Sequence, residues 1–130
     1  MRNLLLAVFL LFSGLLLISP SSYAQLQQAP LSNIEGNAKS ITSKLKSGLS
    51  LTDAQEPKIL DAVTNFLQQR ATILPMNNSN PKAYSTKLKG YHTSFHRKLK
   101  HILTPEQFTG FLELKPVNND MTNVLSQLFY

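Results

Sequence analysis

The chain has 130 residues, with 13 Lys and Arg against 7 Asp and Glu, a formal net charge of +6 and no cysteine. The length suits one domain, and the absence of cysteine excludes both a disulfide scaffold and a lipoprotein anchor. Stability must therefore come from apolar packing, and the positive charge favours acidic partners.

The first 24 residues have the pattern of a secretory signal peptide. Arg2 gives a positive start, residues 4–18 form an almost unbroken apolar run, and Ala24 follows small residues of the cleavage-site type. The run is shorter than the roughly 20 residues that span a bilayer, which argues against an uncleaved anchor. We predict cleavage after Ala24, a periplasmic or extracellular location, a flexible lead at 25–31 and a single helical domain at 32–130.

Two amphipathic helices are predicted in the first half of that domain. Ser32 and Glu35 have the spacing of a capping box at the start of the first helix. Its apolar residues recur at steps of three and four and are Ile34, Ala38, Ile41, Leu45 and Leu49. The second helix is predicted to start at Thr52 and to stop at Pro75, with Pro57 costing one hydrogen bond near its start.

The second half is predicted to begin after a loop from Pro75 to Pro81, which is rich in Pro, Asn and Ser. Asn80 is expected to cap a long third helix, and Thr104 is expected to cap a shorter fourth helix that Pro116 ends. The apolar stripe of the third helix is Tyr84, Leu88, Tyr91, Phe95, Leu99 and Ile102.

The last segment, Met121 to Tyr130, offers an apolar side for docking onto the other helices. The apolar residues of the fourth helix and of this segment are Phe108, Phe111, Leu112, Leu114, Val124, Leu125, Leu128 and Phe129. We therefore predict an all-α fold of four main helices, arranged as two halves, with a short C-terminal helix.

A short motif occurs once in each half, with its threonines 52 positions apart. The two copies are Leu51-Thr52-Asp53-Ala54-Gln55 and Leu103-Thr104-Pro105-Glu106-Gln107. In each copy the Thr hydroxyl can accept from the backbone N–H of the Gln, while the Gln side chain reaches back to the Thr N–H. Both copies therefore predict helix starts with reciprocal caps.

In this arrangement the chain resembles the periplasmic Spy/CpxP-like proteins, which carry two Leu-Thr-x-x-Gln motifs, one in each half of a helical chain. The matching residues are Leu51, Thr52, Gln55, Leu103, Thr104 and Gln107. The resemblance implies an elongated, cradle-like helical homodimer. It also implies an ATP-independent chaperone of unfolding envelope proteins or a regulator of envelope-stress signalling. Pro57 and Pro116 interrupt the helices that follow the motifs, so the chain resembles a shortened, divergent member.

The third helix carries the clearest concentration of charge, because residues 80–105 contain no Asp or Glu. We predict that its basic residues attract acidic or partly unfolded clients and that its aromatic residues then hold them. The candidate client-binding residues are Lys82, Tyr84, Lys87, Lys89, Tyr91, Phe95, Arg97, Lys98 and Lys100. The alternative is that the aromatic residues form an ordinary core stripe and the charges a solvated face.

Other partners and chemistries have weaker support in the sequence. A basic amphipathic helix also suits peripheral contact with an anionic membrane, whereas a secretory signal argues against nucleic acid as a partner. His92 and His96 share a helix face, but His101 turns away and no carboxylate completes a metal site. No Gly-rich phosphate loop, HExxH or GxSxG motif occurs, so we predict neither enzyme activity nor a cofactor.

The predicted function is therefore binding without reaction. The first hypothesis is a holdase-type chaperone or stress-response accessory protein that binds unfolded or partly folded envelope proteins. The alternative is a structural or interaction protein of the envelope with one dedicated protein partner. Exposure of the apolar residues should separate the two, because a holdase exposes apolar area to many clients.

Overall fold

The computed structural model describes residues 33–130, and within them the chain forms helices and turns only, so the fold is all-α. The predicted signal peptide, the predicted lead at 25–31 and the predicted cap at Ser32 lie outside the described residues. The α-helices are α1 Ile34–Leu49, α2 Gln55–Ile73, α3 Met76–Ser79, α4 Pro81–Ile102 and α5 Pro105–Glu113, followed by a 3-10 helix at Val124–Leu128. No helix in the described part of the chain is long and apolar enough to cross a membrane.

One hydrophobic core joins the four longer helices and the C-terminal segment. α2 packs against both α1 and α4, while α5 and the 3-10 helix pack against α1. Phe66, Phe95 and Phe111 are the largest fully buried side chains. Phe66 stacks on Phe95 with 4.8 Å between ring centroids, and Phe95 meets Phe111 edge to face at 6.1 Å. Burial of each such side chain contributes roughly 1.5–3 kcal/mol.

The apolar stripe predicted for the first helix is confirmed. Ile34, Ala38, Ile41, Leu45 and Leu49 are all buried on the core face of α1. The helix ends at Ser50, whose φ of 52° and ψ of 50° lie in the left-handed region, and its N–H bonds to the Lys46 carbonyl. This turn reverses the chain and leads directly into the first motif.

The second helix begins at Gln55 rather than at the predicted Thr52. The backbone N–H groups of Gln55 and Glu56 both bond to the Thr52 carbonyl, so a first turn is present. The next donor in the helical pattern would be Pro57, which has no N–H to offer to the Asp53 carbonyl. Pro57 therefore interrupts the hydrogen bonding within the first turn of α2, where the sequence predicts the loss of one hydrogen bond.

The segment from Pro75 to Pro81 is not a plain loop, and the prediction was wrong in this detail. Met76–Ser79 forms the one-turn helix α3, closed by a 2.8 Å bond from the Asn80 N–H to the Met76 carbonyl. Pro75 precedes it with φ of −59°, an angle that proline favours and that suits a helix start. The Asn80 side chain then caps α4 by accepting from the Ala83 N–H at 3.2 Å, as predicted.

The C-terminal segment docks on the core as predicted. Leu125 and Leu128 are buried, and Phe129 stacks on Phe111 with 5.0 Å between ring centroids. The Tyr130 hydroxyl donates to the Pro116 carbonyl at 2.7 Å. The helix itself is a 3-10 helix rather than an α-helix, with the Asn123 side chain accepting from the Leu125 N–H.

Candidate functional site

The two Leu-Thr-x-x-Gln motifs lie side by side, although 52 positions separate them. Both capping boxes are formed. In the first, Thr52 N–H donates to Gln55 Oε1 at 3.0 Å, and Gln55 N–H donates to Thr52 Oγ1 at 3.2 Å. In the second, the equivalent distances between Thr104 and Gln107 are 3.0 Å and 3.1 Å.

The two glutamines also bond to each other. Gln55 Nε2 donates to Gln107 Oε1 at 2.7 Å, and Gln107 Nε2 donates to Gln55 Oε1 at 3.1 Å. The same nitrogens reach backbone carbonyls across the molecule, from Gln55 to Ile102 at 3.0 Å and from Gln107 to Leu49 at 3.3 Å. Each carbonyl belongs to the last residue of the helix that precedes the other glutamine's motif.

This pairing joins four helix ends in one polar cluster, which we call the glutamine pair. Each glutamine oxygen accepts from its own motif and from its partner, and each glutamine nitrogen donates to the partner and to a helix end. Sequence reasoning predicted the two caps and missed the contact between them. The duplication of the motif could have predicted this contact, because Gln occupies the same cap position in both copies.

Apolar and charged contacts surround the glutamine pair. Leu51 and Leu103, the first residues of the motifs, are both buried in the core. A side chain at Gly110 would place its Cβ 3.1 Å from a methyl group of Leu49, so this glycine permits the close approach of α5 to α1. On the outer side, Lys46 pairs with Glu56 and with Asp53, and these bonds raise the pKa of the lysine.

The predicted cationic surface is present along α4. Within residues 33–130, none of its cations forms an ion pair, because the acids found in ion pairs contact Lys39 or Lys46. Lys100 lies over the Phe108 ring at 5.1 Å from its centroid. The six side chains, all exposed, are Lys82, Lys87, Lys89, Arg97, Lys98 and Lys100.

The aromatic residues of α4 divide between core and surface. Phe95 is 2 % exposed and packs between Phe66 and Phe111, so its predicted contact with clients is not available in this conformation. Tyr84 and Tyr91 are half-buried, and Tyr91 packs against the core. A one-sided apolar stripe on a helix packs inward when neighbouring helices cover it, and α2 covers most of this one.

His92 and His96 face the interior side of α4. Burial, with the charges of His96, Arg70 and Lys115, lowers the pKa of His92 to about 4. Burial and Lys100 also lower the pKa of His96, whose Nε2 atom is buried without a partner in the described chain. The surroundings of these two imidazoles therefore favour the neutral form.

His101 is exposed on the other side of the helix, beside a groove between α2 and α4 of about 470 Å³. The floor of the groove includes Ala62 and Ile102, and Lys58 and Lys98 stand at its rim. Among residues 33–130, no group of three or more His, Cys, Asp and Glu residues could hold a metal ion. The groove can therefore accommodate acidic or apolar groups.

Comparison with known proteins adds little to this picture. No protein-family model and no solved structure matches the chain. The chain is 29 % identical over 113 residues to cytochrome P450 2J5 of Mus musculus. This match covers 75 % of the chain and spans 21 % of the length of that protein. A similarity of this extent does not place the chain in the cytochrome P450 family.

Proposed function

We propose that this chain is a non-enzymatic binding protein of the bacterial envelope that holds unfolded or partly folded proteins without ATP. The observation that carries the proposal is the charge of α4, whose six exposed cations have no carboxylate partner within residues 33–130. Uncompensated charge on one element creates a positive field that speeds encounter with acidic chains. The half-buried Tyr84 and Tyr91 and the groove beside Lys98 then offer apolar contact.

Secretion and membership of the Spy/CpxP-like family are parts of the same proposal. The apolar run at residues 4–18 supports secretion, and the two Leu-Thr-x-x-Gln motifs support the family. The glutamine pair gives a physical reason for a chain to carry both motifs, because each completes the hydrogen bonding of the other. Activity of the cytochrome P450 type is not proposed. The match spans only 21 % of the length of that protein.

The proposal is tested by light scattering from an aggregating unfolded client, with and without the purified chain, at low and moderate salt. A folded protein of equal net charge serves as the first control. We expect suppression of aggregation that the control lacks and that persists at moderate salt, because apolar contact survives screening. Equal suppression by the control would contradict a specific holdase.

A matched pair of variants tests the part of the surface assigned to α4. Lys87→Gln with Lys89→Gln removes two exposed cations from α4, while Lys39→Gln with Lys44→Gln removes two exposed cations from α1 that do not line the α2–α4 groove. The net charge of both variants is the same. We expect the α4 variant to lose roughly half of the suppression and the other to keep it. An equal loss in both variants would show that only total charge matters.

A second candidate function is binding to one dedicated envelope protein. The burial of Phe95 favours it, because loss of this ring from the surface reduces the apolar area that α4 can offer to varied clients. Recognition would then rest on the pattern of α4 cations. Cross-linking in cells separates the two functions, since a single adduct that the α4 variant loses indicates a dedicated partner.

A further inference from the structure

A second groove lies away from the α4 surface, where the start of α1, the C-terminal half of α2 and the C-terminal segment meet. We call it the C-terminal groove. Its volume is about 400 Å³, and none of the six α4 cations lines it. Among its twelve lining residues, five are apolar, six carry an amide or a hydroxyl, and one is Arg70. This mixture differs from the apolar core and from the charged α4 face.

The apolar side of the groove is unusually exposed. Large apolar residues are exposed at four positions in the described chain, and two of them, Leu74 at 45 % and Met121 at 86 %, line this groove. Leu67 and Ala71 continue the apolar lining along α2. Exposed apolar side chains gathered in a concave site, rather than scattered, are typical of binding surfaces.

The polar side of the groove contains a buried hydroxyl without a partner. Ser126 is 2 % exposed, and its Oγ atom has no hydrogen-bond partner in the described chain. A buried polar group without a partner is costly, and a bound group that donates to or accepts from it would remove the cost. Ser126 is among the residues that line the groove.

Arg70 supplies a fixed positive charge at the same place. Its Nη1 atom donates to the Gln127 carbonyl at 2.6 Å, which holds the guanidinium in position. The remaining N–H groups of an arginine suit a carboxylate, and no Asp or Glu lines the groove to occupy them. Within residues 33–130, Arg70 forms no ion pair. Charge complementarity therefore calls for an anionic group on the occupant.

We propose that the C-terminal groove binds an extended peptide segment in which a large apolar side chain lies next to a carboxylate. The apolar side chain contacts Leu74 and Met121, and the carboxylate binds Arg70. Amide side chains such as Asn37 pair with the peptide backbone, and Ser126 gains a partner. The volume falls in the range of about 300–1,000 Å³ that is usual for ligand sites. The proposal does not rest on client capture by α4, because the two surfaces share no residue.

Fluorescence anisotropy with two short labelled peptides, acetylated and amidated, tests the proposal. One carries a central Leu-Phe-Asp and the other a central Leu-Phe-Asn, both flanked by Gly and Ser. We expect the Asp peptide to bind about tenfold more tightly, because a charge-assisted bond to arginine is lost in the Asn peptide. In an Arg70→Gln variant that retains its helical circular dichroism, we expect this preference to disappear.

A matched pair of variants locates the site. Met121→Glu places a negative charge in the groove, and we expect about tenfold weaker binding of the Asp peptide. Val117→Glu makes the same change at a fully exposed apolar residue four positions earlier that does not line the groove, and we expect less than a twofold effect. Because both side chains are exposed, neither change should disturb folding.

Three results would overturn the proposal: no binding of either peptide, equal binding of both, or equal weakening by the two Glu variants. The α4 variant Lys87→Gln with Lys89→Gln should leave binding of the Asp peptide within twofold of the parent. Loss of binding in that variant would indicate that the peptide binds to the α4 surface and not to the groove. Peptide binding in the C-terminal groove is thus tested separately from the holdase function.

Discussion

Gln55 and Gln107 each bond in two directions, to their own motif and to one another. A glutamine that only caps a helix is replaceable at small cost, because water satisfies the helix end in its absence. Here the side chains are part-buried, and each supplies the donor that the other's oxygen accepts. Removal of one amide therefore leaves the other without its partner, which is the costly situation for a polar group away from water.

We expect Gln55→Ala or Gln107→Ala to lower the free energy of unfolding by about 2 kcal/mol, against about 1 kcal/mol for Thr104→Ala, which removes a cap alone. The double Gln variant should cost less than the sum of the two single variants by about 1 kcal/mol. Urea unfolding of the parent and the four variants measures both quantities. Strict additivity would show that the two amides do not depend on one another.

At the scale of elements, Pro57 shapes the start of α2. It is exposed, and it withholds the N–H that would continue the helix from the motif's first turn. The helix thus opens with an irregular turn beside the α2–α4 groove, which Pro57 also lines. Because Pro57 interrupts the helix in this way, the fold is less stable than it would be with an uninterrupted α2.

Pro57→Ala should raise the free energy of unfolding by about 0.5–1 kcal/mol, because alanine restores a hydrogen bond and favours the helix. The gain is limited because proline also restricts the unfolded chain. The thermal midpoint by circular dichroism is the measurement, with Pro105→Ala, at the first position of α5, as the comparison that should bring no gain. A lower midpoint for Pro57→Ala would indicate that the ring contributes packing at the groove.

The inner side of α4 should make stability depend on pH. His92 has a pKa of about 4 in the fold, below its ordinary value of about 6.5, so the unfolded chain binds more protons between these values. The free energy of unfolding then has its full value above about pH 6.5 and falls as the pH drops toward 4. Since the imidazole is only half-buried and Arg70, Lys115 and His96 lie near it, we expect a loss of about 1–2 kcal/mol.

Urea unfolding at pH 7 and pH 4.5 measures this loss. His92→Gln should reduce the difference between the two pH values, because glutamine does not titrate. His101→Gln, which changes an exposed histidine on the same helix, serves as the matched control. Carboxylates also titrate in this interval, so the comparison between variants, rather than the absolute slope, decides the outcome.

Over the whole molecule, the core is distributed unevenly. The α4 residues that belong to it or pack against it lie from Tyr91 onward, and residues 76–90 contribute none. We expect backbone amides in residues 84–88 to exchange with solvent at least about tenfold faster than those in residues 95–102. Hydrogen exchange followed by mass spectrometry reports the difference. Equal protection would mean that another contact stabilises the first half of α4.

How far the sequence predicts this molecule depends on the range of each interaction. The stripe that includes Ala38 and Ile41 and the caps at Asn80 and Thr104 follow from spacing within one helix, and all were predicted. The glutamine pair and the C-terminal groove depend on how distant helix ends meet, which no local pattern contains. The α4 stripe identified Phe95 as apolar, but only its neighbours decide that the ring is buried.

The glutamine pair bears on the lifetime of the folded state. Its two amides are 52 positions apart and can meet only after the chain has placed four helix ends together, so we expect the pair to form late in folding. Interactions that form after the rate-limiting barrier slow unfolding and leave the folding rate almost unchanged. In stopped-flow experiments, Gln107→Ala should therefore unfold several-fold faster and refold at nearly the parent rate. The duplicated motif would then govern how long each molecule remains native.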